Sequence, residues 1–336
     1  MTQNKEQKTM NTKRIFFKDN AVMDRATIDS TGVFLATELQ RLDPVLHEPM
    51  ADFSYSRDID MTALDIGDEQ TAFDRIHYTA TGGETTGGKS FVSSKVTEIG
   101  TVGLDSERVV AGTFVWAEAI RKSVIELAQA QKLGRPLDPQ MMNALQMKLN
   151  IDSQNMVYTG DTPAGVKGLC NSSLVTETVV ANNAANASAL WTAKSDEEVL
   201  KDINTVLDLA WAATGYTICP SRLGLPPVKF SYLATRKIAN QTMSLGKYLA
   251  DNSLCNIVNG RPLEIVPMRE LAGIATGPTD RMVAYSKRPD VVRWPRSIIS
   301  SMPVENRGLH QISVYYCRFG TVEFVKPEAC YYAYGF

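Results

Sequence analysis

The stretch from residue 52 to about residue 112 constrains the fold most, because threonine, glycine and β-branched residues dominate it. Apolar and polar residues alternate over Phe73–Tyr78 and Val96–Val102, which is typical of half-exposed strands. Between them lies GGETTGG, residues 82–88, which predicts a flexible turn. The pattern therefore predicts a long two-stranded projection. Since an isolated hairpin is marginally stable, it also indicates packing against another molecule.

The composition is that of a folded protein without a strong charge bias. Of the 336 residues, 44% are apolar and 21% are charged, and the formal net charge is −2. This balance excludes a strongly basic nucleic-acid binder, and the length suggests two packed lobes or one elaborated domain. The opening MTQNKEQKTMNTKR has no apolar stretch behind it, and no window has the roughly 18 apolar residues of a membrane span. We expect a soluble, cytoplasmic chain with no membrane partner.

Neither the cysteines nor the histidines form a pattern typical of a metal or catalytic site. The five cysteines are widely spaced and contain no CxxC pair, which favours buried free thiols. The three histidines lack the spacing of a catalytic triad or a zinc site, and no GxSxG motif is present. Acidic residues between Asp58 and Glu69 could bind a divalent cation, but their register favours a solvated acidic face. We expect no catalytic residue, metal or cofactor.

One segment satisfies the bare phosphate-loop pattern. Residues 83–90 have the sequence GETTGGKS, which leaves a nucleotide-binding enzyme as an alternative. The residues after Ser90 are β-branched and strand-like, whereas a phosphate site of this kind needs the amino end of a helix. The pattern therefore favours a flexible tip made by Gly82, Gly83, Gly87 and Gly88.

Helical patterns follow the projection. A first helix is predicted around Phe114–Leu133, and the Asp138-Pro139 pair predicts the start of a second, long helix that ends at Gly160. Ser195 and Glu198 form a capping box ahead of a third helix. These elements indicate a helical framework beside the projection.

Short strands and helices alternate in the carboxyl-terminal half. Proline punctuates residues 216–300, which indicates an inserted α/β lobe. Residues 311–324 alternate again and predict paired strands that turn at Arg318–Gly320. We predict subunit contacts here, because tryptophan and arginine are favoured at interfaces. For the tyrosines, core packing is an equal alternative. The candidate contact residues are Arg293, Trp294, Arg296, Arg318, Tyr331 and Tyr332.

The order of these parts resembles the major capsid proteins of tailed phages and prophages. The helix ending in NMVYTGD and the following TPAGVKGLCN resemble the exit of the spine helix in that family. The ending RFGTVEFVKPEACYYAYGF resembles its terminal strands, at Arg318, Pro327, Glu328 and Ala329. The matching positions of the helix exit are Gly160, Asp161, Gly165, Gly168, Leu169 and Asn171.

The resemblance implies an α+β chain with the Hong Kong 97-type capsid fold. Residues 1–51 would be the N-terminal arm and residues 52–112 the E-loop hairpin. Residues 113–215 and 301–336 would form the P domain with its spine helix, and residues 216–300 the α/β A domain. Lys89 and Lys95 are, by position only, candidates for the covalent cross-link known in one branch of the family.

The same resemblance implies a structural protein, not an enzyme. Such a subunit would assemble with itself into pentamers and hexamers that form an icosahedral head around double-stranded DNA. Its expected partners are a scaffolding protein, a portal and a decoration protein, and its expected location is the virion after assembly in the host bacterial cytoplasm. An encapsulin-type compartment shell is the nearest alternative, and a phosphate-loop enzyme is a more distant one.

Overall fold

The computed structural model describes residues 53–80, 101–133, 137–183, 188–238, 243–277 and 279–336. The predicted arm, the predicted glycine tip and both candidate cross-link lysines lie outside these residues. Within them, strands and helices are mixed in an α+β arrangement, as predicted.

The helices are of very different lengths. α1 to α4 span Tyr55–Asp58, Val124–Leu133, Leu137–Tyr158 and Asp196–Ala213, and α5 to α7 span Pro227–Thr235, Leu245–Asn252 and Leu254–Asn259. Single 3₁₀ turns occupy Trp191–Ala193, Arg269–Leu271 and Pro327–Ala329. No helix in this described part is long and apolar enough to cross a membrane.

The strands form two sheets. β1 to β7 span Asp60–Ala63, Gln70–Ala80, Val102–Ser123, Thr176–Val179, Arg222–Leu225, Glu264–Pro267 and Arg281–Tyr285. β8 to β13 span Val292–Arg296, Ser300–Ser301, Glu305–Arg307, His310–Gly320, Glu323–Phe324 and Tyr331–Tyr334. The first sheet has the order β1-β8-β11-β3-β2, with β9 and β10 on β11 and β12 on β8; the second has the order β4-β13-β7-β5-β6.

The second sheet separates two apolar cores. Along β7, Met282 and Ala284 pack into one core, whereas Val283 and Tyr285 pack into the other. A strand covered on both faces needs no polar alternation, which explains why all five residues of β7 are buried. The sheet takes β5, β6 and β7 from residues 216–300, but β4 and β13 come from outside that range.

The first predicted helix, Phe114–Leu133, is wrong over its first half and confirmed over its second half. Residues 114–123 belong to β3, and helix α2 begins only at Val124. In this segment Phe114 and Trp116 pack against the core while Val115 is exposed, a period of two. Pairing with the whole of β11, from Thr113↔Gly320 to Ser123↔His310, outweighs the helical propensity of AEAIRK.

Other predicted boundaries are confirmed or shifted. Ser195 and Glu198 form the capping box of α4. Helix α3 already includes Leu137, one residue before the predicted cap Asp138. The predicted turn at Arg318–Gly320 is wrong: these residues end the continuous strand β11, which pairs with β3 along its whole length.

Candidate assembly surface

β2 and the first part of β3 form a two-stranded ribbon, defined here as residues 70–80 and 102–112. The strands are antiparallel with a register from Gln70↔Gly112 to Ala80↔Val102. Residues 102–108 are all exposed, and so are residues 76–78 opposite them, on both faces of the ribbon. The predicted strand Phe73–Tyr78 is thus confirmed, whereas most of the predicted strand Val96–Val102 lies outside the described residues and the observed partner strand begins at Val102. The outer half of the ribbon packs against nothing within the described part of the subunit.

One face of the ribbon is largely apolar, although the exposed ion pair of Asp74 and Arg108 also lies on it. The pairs Tyr78↔Leu104 and Ile76↔Ser106 lie on it, together with Val102 and Val110, because directly opposed residues of an antiparallel pair share a face. Tyr78 is 79% exposed, Val102 78% and Leu104 65%. Contiguous exposed apolar side chains of this kind mark contact surfaces. We name this set, Ile76, Tyr78, Val102, Leu104 and Val110, the apolar face.

The opposite face holds the ribbon to the subunit at its base. Arg75 donates from Nε to the Val325 carbonyl at 3.1 Å and from Nη2 to the Phe324 carbonyl at 2.8 Å. The Arg75 guanidinium also lies 5.5 Å from the ring centre of Phe73, and that of Arg293 lies 5.7 Å from the same ring. These contacts fix the base of the ribbon while its apolar face remains exposed.

Arg318 provides a second anchor at the start of the ribbon. Its guanidinium donates to the Asp68 carbonyl and, at 3.2 Å, to the hydroxyl of Thr113. That hydroxyl in turn donates to the carbonyls of Asp68 and Glu69, each at 2.9 Å. The Arg318 side chain therefore serves a contact inside the subunit, in addition to any contact between subunits.

The segment after the long helix α3 folds back on the helix end. The amides of Leu169 and Cys170 donate to the Val157 and Tyr158 carbonyls at 2.7 and 2.9 Å. Asn171 clamps this return, because its Oδ1 accepts from the Gly168 amide at 2.7 Å and its Nδ2 donates to the Thr159 carbonyl at 2.8 Å. All six motif positions lie in this return, of which Leu169 is fully buried and Asp161 is exposed. We call this motif the clasp, because its hydrogen bonds hold the returning chain against the end of α3.

Two glycines of the clasp have no room for a side chain. Gly160 has φ +71°, and a Cβ there would lie 2.3 Å from the Val166 carbonyl oxygen. At Gly168 a Cβ would lie 2.5 Å from the Tyr158 carbonyl carbon. Gly165 also has a positive φ of +70°, but no atom lies within 4 Å of its Cβ position.

This difference predicts unequal costs for two alanine substitutions. Gly160→Ala combines a left-handed backbone with a backbone clash and is expected to destabilise the subunit by roughly 2–5 kcal/mol. Gly165→Ala meets only the backbone preference and is expected to cost about 1–2 kcal/mol. Urea unfolding midpoints of the unassembled subunits measure both, and equal midpoints would contradict the clash.

Asp58, which was predicted to belong to a solvated acidic face, is instead fully buried. Arg57 donates to its carboxylate from Nε at 2.7 Å and from Nη2 at 2.9 Å, and Arg222 donates from Nη1 at 3.1 Å. The Tyr158 hydroxyl donates to the same carboxylate, and the Tyr285 hydroxyl donates to the Asp58 carbonyl at 2.8 Å. Asp58 thus joins α1 to the end of α3, to β5 and to β7. We call these five residues the Asp58 cluster.

Burial and the Asp58 charge keep the two tyrosines protonated. Burial raises the pKa of Tyr158 far above its usual value, and the Asp58 carboxylate raises it further. The pKa of Tyr285 is raised by the same two causes. The hydrogen bond to Asp58 raises the pKa of Arg57. Both hydroxyls therefore remain hydrogen-bond donors throughout the range in which proteins are stable.

Three of the candidate contact residues are buried within their own subunit, which for the two tyrosines is the core packing given as the equal alternative. Trp294 is 0% exposed and donates from Nε1 to the Gly320 carbonyl at 2.9 Å, inside the core. Tyr331 and Tyr332 are also buried, and the Arg281 guanidinium lies 4.7 Å from the Tyr332 ring centre. Side chains enclosed by their own subunit cannot anchor a neighbour.

The remaining candidate arginines are used within the subunit. Arg293 pairs with Glu323 at 2.6 Å, and Arg296 donates to the Tyr55 hydroxyl at 3.2 Å. Both keep part of their side chain exposed. Their role between subunits stays a prediction.

A second exposed apolar region was not predicted from the sequence. It follows β8 and includes Ile298, Met302, Val304 and Leu309, all at least half exposed. Short irregular segments such as this one have no periodicity to detect. The alternation in the sequence begins only with the strand that follows, in residues 311–324. With the apolar face, this region gives the subunit two surfaces of the kind that other subunits cover.

The described residues contain no cluster of three or more potential metal ligands. All five cysteines are buried and free, as predicted. What the surface offers is exposed apolar area on an anchored ribbon, which suits association.

Comparison with known proteins agrees with this arrangement. The capsid of Myoviridae phage XM1 is similar in fold, with a TM-score of 0.72 and 17% identity over 90% of this chain and 98% of that one. The capsid of the native GTA particle gives 0.56 and 13%, over 89% and 98% of the two chains. A chain of Mycobacterium phage Ogopogo gives 0.53 and 13%, over 89% and 97%. The Hong Kong 97-type fold is confirmed.

The family follows from a comparison of the sequence with protein-family models. No curated protein matches the sequence. A family model described as "Major capsid protein" matches residues 88–335, about three quarters of the chain. A match of this extent, on a subunit with the capsid fold and an exposed apolar ribbon, shows that the chain belongs to the major capsid protein family and is a shell-forming structural protein of the virion.

Proposed function

We propose that this subunit forms the pentamers and hexamers of an icosahedral head around double-stranded DNA. The observation that carries the proposal is the apolar face, which is exposed on a ribbon that Arg75 anchors at its base. Burial of that face on a neighbouring subunit would stabilise the ribbon and the contact together, so stability would be shared across the lattice. The role is mechanical and needs no catalytic group.

We propose the following roles for the segments of the chain. Residues 1–51 act as the arm, residues 52–112 as the E-loop, residues 113–215 and 301–336 as the P domain, and residues 216–300 as the A domain. Support comes from the ribbon of β2 and β3 and from the long helix α3. The shared strand β3 continues from the E-loop into the P domain without a break, which couples the tilt of the ribbon to the sheet.

The charge of the chain fits a container for DNA. A formal net charge of −2 gives no strong general attraction to a polyanion, so DNA would be enclosed without being bound tightly or by sequence. A scaffolding protein, a portal and a decoration protein are the proposed partners, and the host cytoplasm is the proposed place of assembly.

The first test is electron microscopy of the purified protein beside its sedimentation profile. Closed shells, or rings of five or six subunits, support the proposal, whereas a monomer that stays small at high concentration contradicts it. The contents of shells made in the native host distinguish the two kinds of container. Nuclease-protected DNA supports the phage head, and a co-purifying enzyme without DNA supports an encapsulin-type compartment.

The glycine tip gives a separate prediction. Replacing Gly82, Gly83, Gly87 and Gly88 with valine narrows the backbone conformations open to the tip, because β-branched residues disfavour positive φ. We expect the variant to fold but to give few closed shells, since pentamers and hexamers would need different tilts of the ribbon. Circular dichroism and particle counts measure the two effects. Normal particles from the variant would refute this role.

A further inference from the structure

Two of the five cysteines lie against each other. The Sγ atoms of Cys219 and Cys255 are 3.0 Å apart although the residues are 36 positions apart in sequence. A disulfide needs about 2.05 Å between the sulfurs, so a shift of roughly 1 Å would complete the bond. Both thiols are buried in the core that contains α4.

The two segments that carry these thiols are held together by other bonds. Cys219 lies between α4 and β5, and Cys255 lies in the short helix α7. At the end of α7, Asn259 donates from Nδ2 to the Cys219 and Pro220 carbonyls at 3.4 and 3.2 Å. The approach of the sulfurs is therefore part of a fixed junction between the two segments.

The pair is chemically unequal. The contact between the two thiols lowers the pKa of Cys219, whereas the same contact, with burial, raises the pKa of Cys255. Cys219 is also the more accessible of the two, at 4% exposed against 0% for Cys255, so we assign it the role of nucleophile. The other three cysteines, Cys170, Cys317 and Cys330, are also buried and free.

We propose that Cys219 and Cys255 are a disulfide-forming pair that closes when the chain meets a peroxide-class oxidant. The Cys219 thiolate attacks one oxygen of hydrogen peroxide, the O–O bond breaks, and a sulfenic acid and hydroxide result. The Cys255 sulfur then attacks the sulfenic sulfur. The S–O bond breaks, the Cys255 proton leaves with the oxygen as water, and the disulfide forms.

The pair would be reduced in a cytosol and oxidised afterwards. Thiol systems keep cytosolic cysteines reduced, and a virion outside the cell meets no such system. The bond would then link α7 covalently to Cys219, just before β5. It would close a loop in the chain, and such closure stabilises a fold.

The test uses the full-length chain without substitutions. It is purified with reductant, desalted, treated in its native state with hydrogen peroxide, alkylated in denaturant and mapped by mass spectrometry without reduction. We expect two of the five thiols to be lost and one cross-linked peptide pair, containing Cys219 and Cys255, that reductant separates. Complete alkylation of both cysteines, their irreversible over-oxidation, or a different pairing overturns the proposal.

Two variants sharpen the assignment. Cys255→Ala is expected to leave a sulfenic acid at Cys219 that a dimedone-type reagent traps, because the resolving thiol is gone. Cys317→Ala, another buried cysteine-to-alanine change, is expected to retain the cross-link. Trapping at Cys317 in place of Cys219 would contradict the order of events. None of these readouts depends on assembly of the shell.

Discussion

Asp58→Ala is expected to be among the most damaging single substitutions in the subunit, with a loss of about 3–5 kcal/mol in the free energy of unfolding. The carboxylate accepts hydrogen bonds from Arg57, Arg222 and Tyr158 in a fully buried position. Its removal takes this acceptor from all three donors, of which the Tyr158 hydroxyl and the Arg222 guanidinium are buried. A typical domain is stable by only about 5–15 kcal/mol, so little soluble subunit should remain.

The position of the Asp58 cluster explains why the loss would spread. It holds the segment before β1 against the end of α3 and against two strands of the second sheet. Arg222 keeps a second partner, the half-exposed Glu264, which softens the loss for that one side chain. Asp58→Asn should fall between the wild type and alanine, because an amide oxygen still accepts a hydrogen bond but the charge is absent.

Asp60→Ala is the matched control. Asp60 lies two residues away in the same acidic stretch, and its pair with Lys287 is partly exposed at 3.6 Å. Such pairs contribute about 0–1 kcal/mol, so the control should unfold close to the wild type. Urea midpoints of the unassembled subunits give the comparison. An Asp58→Ala midpoint equal to that of Asp60→Ala would show that the cluster contributes nothing beyond a surface ion pair.

The burial of Asp58 could not be predicted from the sequence. Asp58, Asp60, Asp65 and Asp68 look alike in the sequence, and the last three are partly or largely exposed while the first is fully buried. The partners that make burial possible, Tyr158 and Arg222, are 100 and 164 positions away. Contacts at such separations have no local signature.

Features set by neighbouring residues were predictable. The capping box at Ser195 and Glu198 follows from their spacing, and the first strand of the ribbon follows from the alternation over Phe73–Tyr78. The helix predicted for residues 114–123 was wrong. Their local propensity is helical, but they pair with β11, almost 200 positions later in the chain. Trp294 was predicted to lie at an interface but lies in the core, because both environments favour tryptophan.

Reversing the polarity of the apolar face is expected to abolish shell formation while leaving the subunit folded. The variant Tyr78→Glu with Leu104→Lys replaces one directly opposed pair on the ribbon. Opposite charges across the strands keep the pair attractive, so the ribbon itself should persist. Both side chains are largely exposed, so the folded subunit loses little packing.

The expected loss falls on the contact between subunits. Burial of a tyrosine or leucine contributes about 1.5–3 kcal/mol, so two such residues contribute about 3–6 kcal/mol to each contact. That corresponds to a factor on the order of 10² to 10⁴ in each association constant. Every subunit of a shell repeats the contact, so the concentration needed for assembly should rise beyond what is reached in solution. Light scattering during assembly and electron microscopy of the product measure this.

The same ribbon offers a control that differs only in the face it alters. His77 and Asp105 form the adjacent opposed pair, and both are exposed on the opposite face. His77→Glu with Asp105→Lys introduces the same two residue types on the same two strands, one position along. If the apolar face makes the contact, this control assembles near the wild-type concentration, because it removes no apolar surface. If both variants fail equally, the ribbon contributes by its charge or shape, and the assignment of the contact to Tyr78 and Leu104 is wrong.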